Sequence, residues 1–178
     1  MKKLFLLALV GTALVFPATS KAQTASSASA KIINNNGEQI GVADLLPGPH
    51  GVVLRVHVAN VTPGEHGIHL HSVGTCEDTD SFKKSGGHLK SGEQSHGYLN
   101  SNGYEEGDLP NLYVSENKVG DMQTLVENVF FYGSPASIFD DDGTAIVIHE
   151  SADDQITQPI GNSGQRIACG VFKPDLPQ

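Results

Sequence analysis

The 178-residue chain contains no Trp, only two Cys, and an aromatic fraction of 6%. It is also poor in cations, because 11 Lys and Arg stand against 20 Asp and Glu, which gives a formal net charge of −9 at pH 7. Binding to nucleic acid requires clustered Lys and Arg, so this balance argues against such a partner. The chain also lacks a sustained helical periodicity, which argues against a coiled coil.

The N-terminal segment predicts export. An apolar run from Leu4 to Phe16 follows Lys2 and Lys3, and Ser20-Lys21-Ala22 places small residues at the two positions that a signal peptidase recognises. The run is shorter than the roughly 20 apolar residues that a membrane-spanning helix needs. We therefore interpret residues 1–22 as a signal peptide rather than an anchor or a buried helix. We expect no stable membrane association after cleavage.

Export bears on the two cysteines, Cys76 and Cys169. In an oxidising compartment an isolated pair is most simply a disulfide, whereas two free thiols are the alternative. A crosslink closing so long a loop stabilises a fold by roughly 4–5 kcal/mol in the chain-entropy model. A zinc site built on both cysteines is disfavoured, because neither stands in a C-x-x-C pair.

Short apolar and β-branched runs separated by Gly, Pro and Asn predict an all-β sandwich or barrel. Residues 23–30 are rich in Ser and Ala and are predicted to form a flexible N-terminal lead, and residues 31–178 to form one domain. The predicted strands include Val52–Val58, Ile68–His71, Leu112–Val114, Val126–Phe131, Ala145–His149 and Ile167–Phe172.

The stretch from Ser72 to Asp108 is polar and Gly-rich, with neither helical nor strand periodicity. Loops longer than about 15 residues are usually functional or disordered. This one contains Cys76, His88 and His96. Disorder does not explain this content, whereas a metal site would give the loop its order.

The histidine pattern points to metal binding. His69 and His71 stand two apart on a predicted strand and therefore face the same side. Alone, this pair fits an ordinary strand face equally well. Imidazole suits copper and zinc, and a carboxylate can complete a zinc site. Further candidate ligands follow along the chain: His88, His96, Asp108 and His149.

Arg166 lies three positions before Cys169, in a segment containing Gly161 and Gly164. An arginine held near a crosslink is a candidate for binding a small anion. The alternative is a surface arginine in a turn.

Six motifs, in order, resemble copper/zinc superoxide dismutases, and most closely those secreted by bacteria. They are Gly67-Ile68-His69-Leu70-His71, Gly86-Gly87-His88, His96-Gly97, Gly107-Asp108-Leu109-Pro110-Asn111, His149-Glu150-Ser151-Ala152-Asp153-Asp154 and the run from Gly161 to Gly170. The resemblance implies an eight-stranded Greek-key β-barrel, an immunoglobulin-like sandwich with two long functional loops. It also implies an oxidoreductase that converts superoxide to dioxygen and hydrogen peroxide by Cu(II)/Cu(I) cycling, as protection against extracytoplasmic superoxide.

The same resemblance implies the ligands and the catalytic residues. The copper ligands are His69, His71, His88 and His149. The zinc ligands are His88, His96 and Asp108, with one copper and one zinc per chain. Asp153 corresponds to the carboxylate that hydrogen-bonds His69 and His96, Arg166 to the residue that guides superoxide, and His88 to the residue that passes on a proton. Cys76 and Cys169 correspond to the family disulfide.

The chain departs from the family at the zinc site. The family usually has a third zinc histidine three positions before the zinc aspartate, where this chain has Glu105. Either Glu105 binds zinc, with Glu106 as a substitute if the loop shifts, or the enzyme retains mainly copper. In addition, Ser72 follows the H-x-H motif where many members have Glu, and Leu89-Lys90 follows His88 where many have an aromatic residue and Asn.

The remaining lysines and histidines of interest are not predicted to bind metal. Lys83, Lys84 and Lys90 are candidates for steering superoxide, although each alone fits a solvated loop charge. His50 and His57 are expected at structural or surface positions, and His66 as a packed residue behind the copper site.

Two rival functions are disfavoured by the sequence. A noncatalytic secreted copper-binding module on the same fold would be expected to lose a copper ligand or Arg166, and this chain keeps all of them. A zinc hydrolase is disfavoured, because this chain offers no suitable open zinc site with an adjacent general base. The expected location is periplasmic or secreted, and the expected state is a monomer or a homodimer.

Overall fold

The computed structural model describes residues 25–175, so the signal-peptide prediction for residues 1–22 lies outside the described part of the chain. Ten strand segments make up nearly all of its regular structure. They are β1 Ser27–Asn34, β2 Gln39–Gly48, β3 Gly51–Ala59, β4 Gly64–His66, β5 Ile68–His71, β6 Leu112–Val114, β7 Val119–Glu127, β8 Ala145–His149, β9 Arg166–Val171 and β10 Lys173–Asp175. A 3-10 turn at Lys83–Ser85 is the one helical element between residues 25 and 175. Nowhere in that range is there a helix of the length and apolarity that a membrane crossing demands.

The segments form one antiparallel sheet in the order β4-β6-β7-β3-β2-β1-β9-β8-β5, with β10 beside β1. The end strands β4 and β5 are consecutive in the chain and separated only by Gly67, so the sheet curls into a nearly closed barrel. Phe172 likewise separates β9 from β10. Counting each interrupted pair as one strand gives eight. The connections β3–β4 and β7–β8 cross over other strands in Greek-key fashion, and the predicted all-β barrel is confirmed.

The barrel forms because its strands alternate apolar and polar side chains. In β3, Val52, Leu54, Val56 and Val58 are buried, whereas Arg55 and His57 face solvent. This period of two is that of a pleated strand with one buried face. Strand β8 is buried at all five positions, because the loops that bear the candidate ligands cover its outer side.

Two expectations about strand limits are wrong. Residues 27–30, assigned to a flexible lead, belong to β1, where Ala28 and Ala30 are buried and pair with β2. Their small side chains fit against the core, which a propensity argument undervalues. The strand predicted over Val126–Phe131 is instead β7, Val119–Glu127, which pairs with β3 throughout. Its polar outer face obscured the pattern, and Asn128, with φ 62°, ends the strand.

Two loops build the candidate site on this barrel. The first, residues 72–111, connects β5 to β6 and returns to β5 through hydrogen bonds from Leu70 N to Gly107 O and from Leu89 N to Leu70 O. Gly107 is required there, because a Cβ would lie 2.3 Å from the Leu70 oxygen. The second loop, residues 150–165, connects β8 to β9. The first loop is also crosslinked to β9 by the Cys76–Cys169 disulfide, so the predicted pairing is confirmed.

We expect that replacing both cysteines by Ser destabilises the metal-free protein. The crosslink spans 93 positions, and a loop of that length corresponds to roughly 4–5 kcal/mol in the chain-entropy model. Urea unfolding of the oxidised protein and the double variant measures the difference. A loss below about 1 kcal/mol would show that the barrel and the loop hydrogen bonds already restrict this segment without the crosslink.

Candidate metal centre

Four histidines converge at one side of the barrel. His69 and His71 lie on β5 and His149 on the neighbouring strand β8, while His88 reaches them from the first loop through a bridge between His88 and His71. All four are buried, and one ring nitrogen from each lies within 4.8 Å of the others. The strand register therefore brings together residues from distant parts of the sequence.

Among the described residues 25–175, the four converging atoms have no hydrogen-bond partner. They are His69 Nδ1, His71 Nε2, His88 Nε2 and His149 Nε2. Buried polar atoms are normally hydrogen-bonded, so four unpaired nitrogens facing one point are unusual. Imidazole nitrogens in this arrangement are suited to binding a copper ion. We call this group the first cluster.

The opposite nitrogen of each ring is held by an accepting group. His71 Nδ1 lies 3.0 Å from Gly86 O and His149 Nδ1 lies 3.2 Å from Gly164 O. A carbonyl oxygen only accepts, so these Nδ1 atoms donate and the Nε2 atoms keep their lone pairs. Such contacts orient ligand rings and set their tautomers.

A second cluster adjoins the first through His88. Its Nδ1 atom lies 3.1 Å from Asp108 Oδ1 and 2.9 Å from Glu105 Oε2, and His96 Nδ1 lies 2.7 Å from Asp108 Oδ1. The other Asp108 oxygen accepts hydrogen bonds from the backbone N–H groups of Gly97 and Glu105 at 2.7 and 3.0 Å. One carboxylate oxygen thus faces the two histidines, while the backbone holds the other.

Asp153 connects the two clusters. Its Oδ2 lies 2.8 Å from His69 Nε2 and its Oδ1 lies 3.1 Å from His96 Nε2. The family resemblance implied that these three residues lie together. Asn111 was not predicted in a supporting role, although its side chain hydrogen-bonds both the N–H and the carbonyl of Asp153. Asn111 stands in the Gly107–Asn111 motif, so the signal was present in the sequence.

The two clusters have opposite proton affinities. In the first, burial lowers the pKa of His69 to about 4 and of His149 to about 3, and it also lowers that of His71. In the second, burial opposes protonation, but hydrogen bonds to Asp108 and Asp153 raise the pKa of His96 to about 10.

The remaining groups of the second cluster follow the same pattern. The carboxylates of Asp108 and Glu105 raise the pKa of His88 against the effect of burial. Although burial alone would raise the pKa of Asp108, its hydrogen bonds to His88 and His96 hold it well below the usual range. The first cluster is therefore rich in neutral nitrogen lone pairs, and the second binds protons in the absence of metal.

Arg166 lies at the opening to the first cluster. Its guanidinium donates to Phe82 O at 2.8 Å, to Ser85 Oγ at 2.9 Å and to Gly86 O at 2.7 Å. The Gly86 carbonyl therefore holds both Arg166 and the ligand candidate His71. Neither Ser85 nor the Gly86 carbonyl was predicted in this role from the sequence. The opening is lined by Ser81, Lys83, His149, Pro159, Ile160, Gly164, Gln165 and Arg166.

The other candidate residues separate into distinct environments. Lys83 lines the opening, Lys84 lies 3.9 Å from Glu77, and Lys90 lies 3.2 Å from Glu105. His50 is exposed in a turn. His57 pairs with Asp121 at the surface. His66 is buried with its two ring nitrogens 2.7 Å from His149 O and 2.8 Å from Thr62 O, so it packs behind the first cluster.

Comparison with known proteins gives consistent matches. The family model for copper/zinc superoxide dismutase (SODC) matches residues 21–172. Superoxide dismutase [Cu-Zn] 1 of Aquifex aeolicus is 39% identical over 148 residues, covering 81% of this chain and 86% of that protein. The Superoxide dismutase [Cu-Zn] of Caulobacter vibrioides is 35% identical over 150 residues, covering 83% of this chain and 86% of that protein. The crystal structure of a superoxide dismutase-like protein from Bacillus subtilis matches with a TM-score of 0.77 at 33% identity, covering 80% of this chain and 96% of that one.

We expect metal binding to release different numbers of protons at the two clusters. At pH 7 the rings of His69, His71 and His149 are already neutral, so Cu²⁺ added to metal-free protein displaces few protons from them. Zn²⁺ added next displaces the proton of His96, whose pKa is raised to about 10, so more protons leave in this step. Calorimetry in buffers of different ionisation enthalpy measures both numbers. Equal release in the two steps would contradict the opposite pKa shifts.

Proposed function

This chain belongs to the copper/zinc superoxide dismutase family, and we propose that its two buried clusters convert superoxide to dioxygen and hydrogen peroxide. Copper is assigned to the first cluster and zinc to the second. The observation that carries this assignment is the set of four buried, unpaired ring nitrogens, from His69, His71, His88 and His149. The residues that hold them in place are also present.

Copper bound at the first cluster supplies one-electron redox chemistry by alternating between Cu(II) and Cu(I). The protein supplies the proton and the geometry. His88 presents Nε2 to the first cluster and Nδ1 to the second, so we assign its Nε2 the transfer of a proton toward the peroxide product. Asp153 keeps His69 and His96 oriented, because one of its oxygens accepts from each ring.

Arg166 is assigned the binding of the superoxide anion. Its backbone and Ser85 contacts fix the guanidinium beside His71 and the opening. A chain with net charge −9 must attract an anion locally, and a cationic opening does so against the overall field. Lys83 is the lysine that lines this opening, so we assign it the steering role. The Lys90 ammonium contacts Glu105, and Lys90 lines the adjoining pocket with His88 and Arg166.

We further propose that the protein acts outside the cytoplasm, in the periplasm or as a secreted protein. The N-terminal sequence resembles a signal peptide, and a buried Cys169 crosslinked to Cys76 suits an oxidising compartment. The rival function, a noncatalytic copper-binding module, is disfavoured because the complete set of unpaired nitrogens is accompanied by an oriented Arg166.

The proposed reaction is tested by the decay of superoxide followed by stopped-flow absorbance. We expect the copper- and zinc-loaded protein to accelerate decay catalytically. His149→Ala should reduce the rate to background and lower the bound copper, because it removes one of the four converging nitrogens. His57→Ala, at the exposed surface, is the matched control and should keep full activity. A wild-type protein that binds copper without turning over superoxide would support the copper-binding module instead.

The electrostatic assignment gives a separate prediction. Arg166→Leu should lower the second-order rate constant by about 10-fold or more, and Lys83→Gln by a smaller factor, with both changes flattening its dependence on ionic strength. Rates measured between low and high salt test this. Lys118→Gln, at an exposed turn, is the control. Unchanged rate and salt slope in Lys83→Gln would overturn its steering role.

A further inference from the structure

Two residues that differ from the usual family pattern contact each other. Glu105 replaces the usual third zinc histidine, and Lys90 stands where many members have Asn. In the structure, Lys90 Nζ lies 3.2 Å from Glu105 Oε1, while the other oxygen, Oε2, lies 2.9 Å from His88 Nδ1. The two departures therefore form one unit, in which the ammonium takes one carboxylate oxygen and leaves the other facing the second cluster.

The geometry fits a ligand carboxylate. In a tetrahedral zinc site with bonds of about 2.0–2.1 Å, neighbouring ligand atoms lie about 3.3 Å apart. Glu105 Oε2 lies 2.9 Å from His88 Nδ1, and Asp108 Oδ1 lies 3.1 Å from His88 Nδ1 and 2.7 Å from His96 Nδ1, all slightly shorter than that spacing. The group whose ligand atoms all lie within 4.8 Å of one another is His69, His88, His96 and Asp108, so Glu105 Oε2 has to move toward Asp108 and His96 when the ion binds. Glu105 is 8% exposed, so its carboxylate is directed inward.

The carboxylate of the next residue, Glu106, makes its hydrogen bonds within the loop and not to the second cluster. Glu106 Oε2 accepts the Ser91 N–H at 2.9 Å, and Oε1 accepts from the Ser91 hydroxyl and from Gln94 Nε2 at 3.0 Å. Both oxygens thus hold the 91–94 segment of the loop. The hypothesis that Glu106 substitutes for Glu105 is not supported by this arrangement.

We propose that Glu105 Oε2 is the fourth zinc ligand, beside His88, His96 and Asp108, and that Lys90 is a positioning residue that holds Glu105 Oε1 away from the metal. The inference rests on the proposed function for the identity of the metal. The carboxylates of Asp108 and Glu105 balance the charge of Zn²⁺, and His88 is anionic when both of its nitrogens bind metal. Lys90 therefore offsets the additional negative charge that the replacement of His by Glu introduces.

The test titrates the second cluster of the copper-loaded, disulfide-bonded protein with Zn²⁺, and in parallel with Co²⁺, whose visible spectrum reports its ligands. Glu105→Gln should weaken zinc binding by more than about 100-fold, since it removes a ligand rather than a supporting contact. It should also change the Co²⁺ absorption bands. Glu105→His should restore tight binding, because imidazole is an ordinary zinc ligand.

If Lys90 acts through Glu105, the effect of replacing Lys90 on zinc affinity should depend on which residue stands at position 105. Lys90→Met should weaken zinc binding by about 10-fold in the wild-type background. The same substitution should have no effect in the Glu105→His background, where no carboxylate remains to be positioned. Lys90→Arg should retain binding. Glu106→Gln is the matched control and should leave both the zinc affinity and the Co²⁺ spectrum unchanged.

Two results would overturn the inference. If Glu105→Gln keeps wild-type zinc affinity and Co²⁺ spectrum, Glu105 is not a ligand. If Lys90→Met weakens binding equally in both backgrounds, Lys90 does not act through Glu105. Neither result bears on superoxide turnover. Conversely, a failure of the wild-type protein to turn over superoxide would overturn the proposed reaction and leave the zinc measurements interpretable.

Discussion

The whole metal centre depends on the two nitrogens of each imidazole ring having different partners. One nitrogen of every clustered ring contacts a carboxylate or a carbonyl oxygen, and in four rings the other nitrogen is buried with an unpaired lone pair. An isolated buried nitrogen without a partner is unfavourable, and a bound cation compensates for several at once. The arrangement is useful only if the accepting groups are held rigidly, and much of the surrounding structure provides that rigidity.

The barrel supplies the fixed part of this frame. Strands β5 and β8 pair in a register that sets His69, His71 and His149 beside one another. Aliphatic side chains of the barrel core pack behind these strands. The loops supply the rest, because they bring His88, His96 and Asp108 onto the outer side of β5. Backbone hydrogen bonds at Leu70 and the crosslink at Cys169 connect these loops to the strands. A long irregular segment is thereby held without regular secondary structure of its own.

Charge is distributed unequally across the molecule. The second cluster concentrates carboxylates, and these draw protons or a metal ion to His88 and His96. The opening to the first cluster carries Arg166 and Lys83 instead. An anion therefore meets positive charge at the opening although the chain as a whole is acidic. Because His88 belongs to both clusters, the electrostatics of one affects proton transfer at the other.

Much of this could be predicted from residue types and their spacing. The short strands predicted an all-β sandwich or barrel, and the two cysteines of an exported chain favoured a disulfide. The resemblance of six ordered motifs to copper/zinc superoxide dismutases implied the Greek-key barrel, the two metals and their ligands. The limits of β1 and β7 could not be predicted, since small or polar residues form those strands only when neighbouring strands pair with them. The burial of the site residues and their hydrogen-bond partners could not be predicted from the sequence either. The sequence by itself determined that Glu105 stands where a zinc histidine is expected. Only the tertiary structure decided that Glu105 faces His88 while Glu106 holds the loop, because side-chain direction depends on how the loop returns to β5.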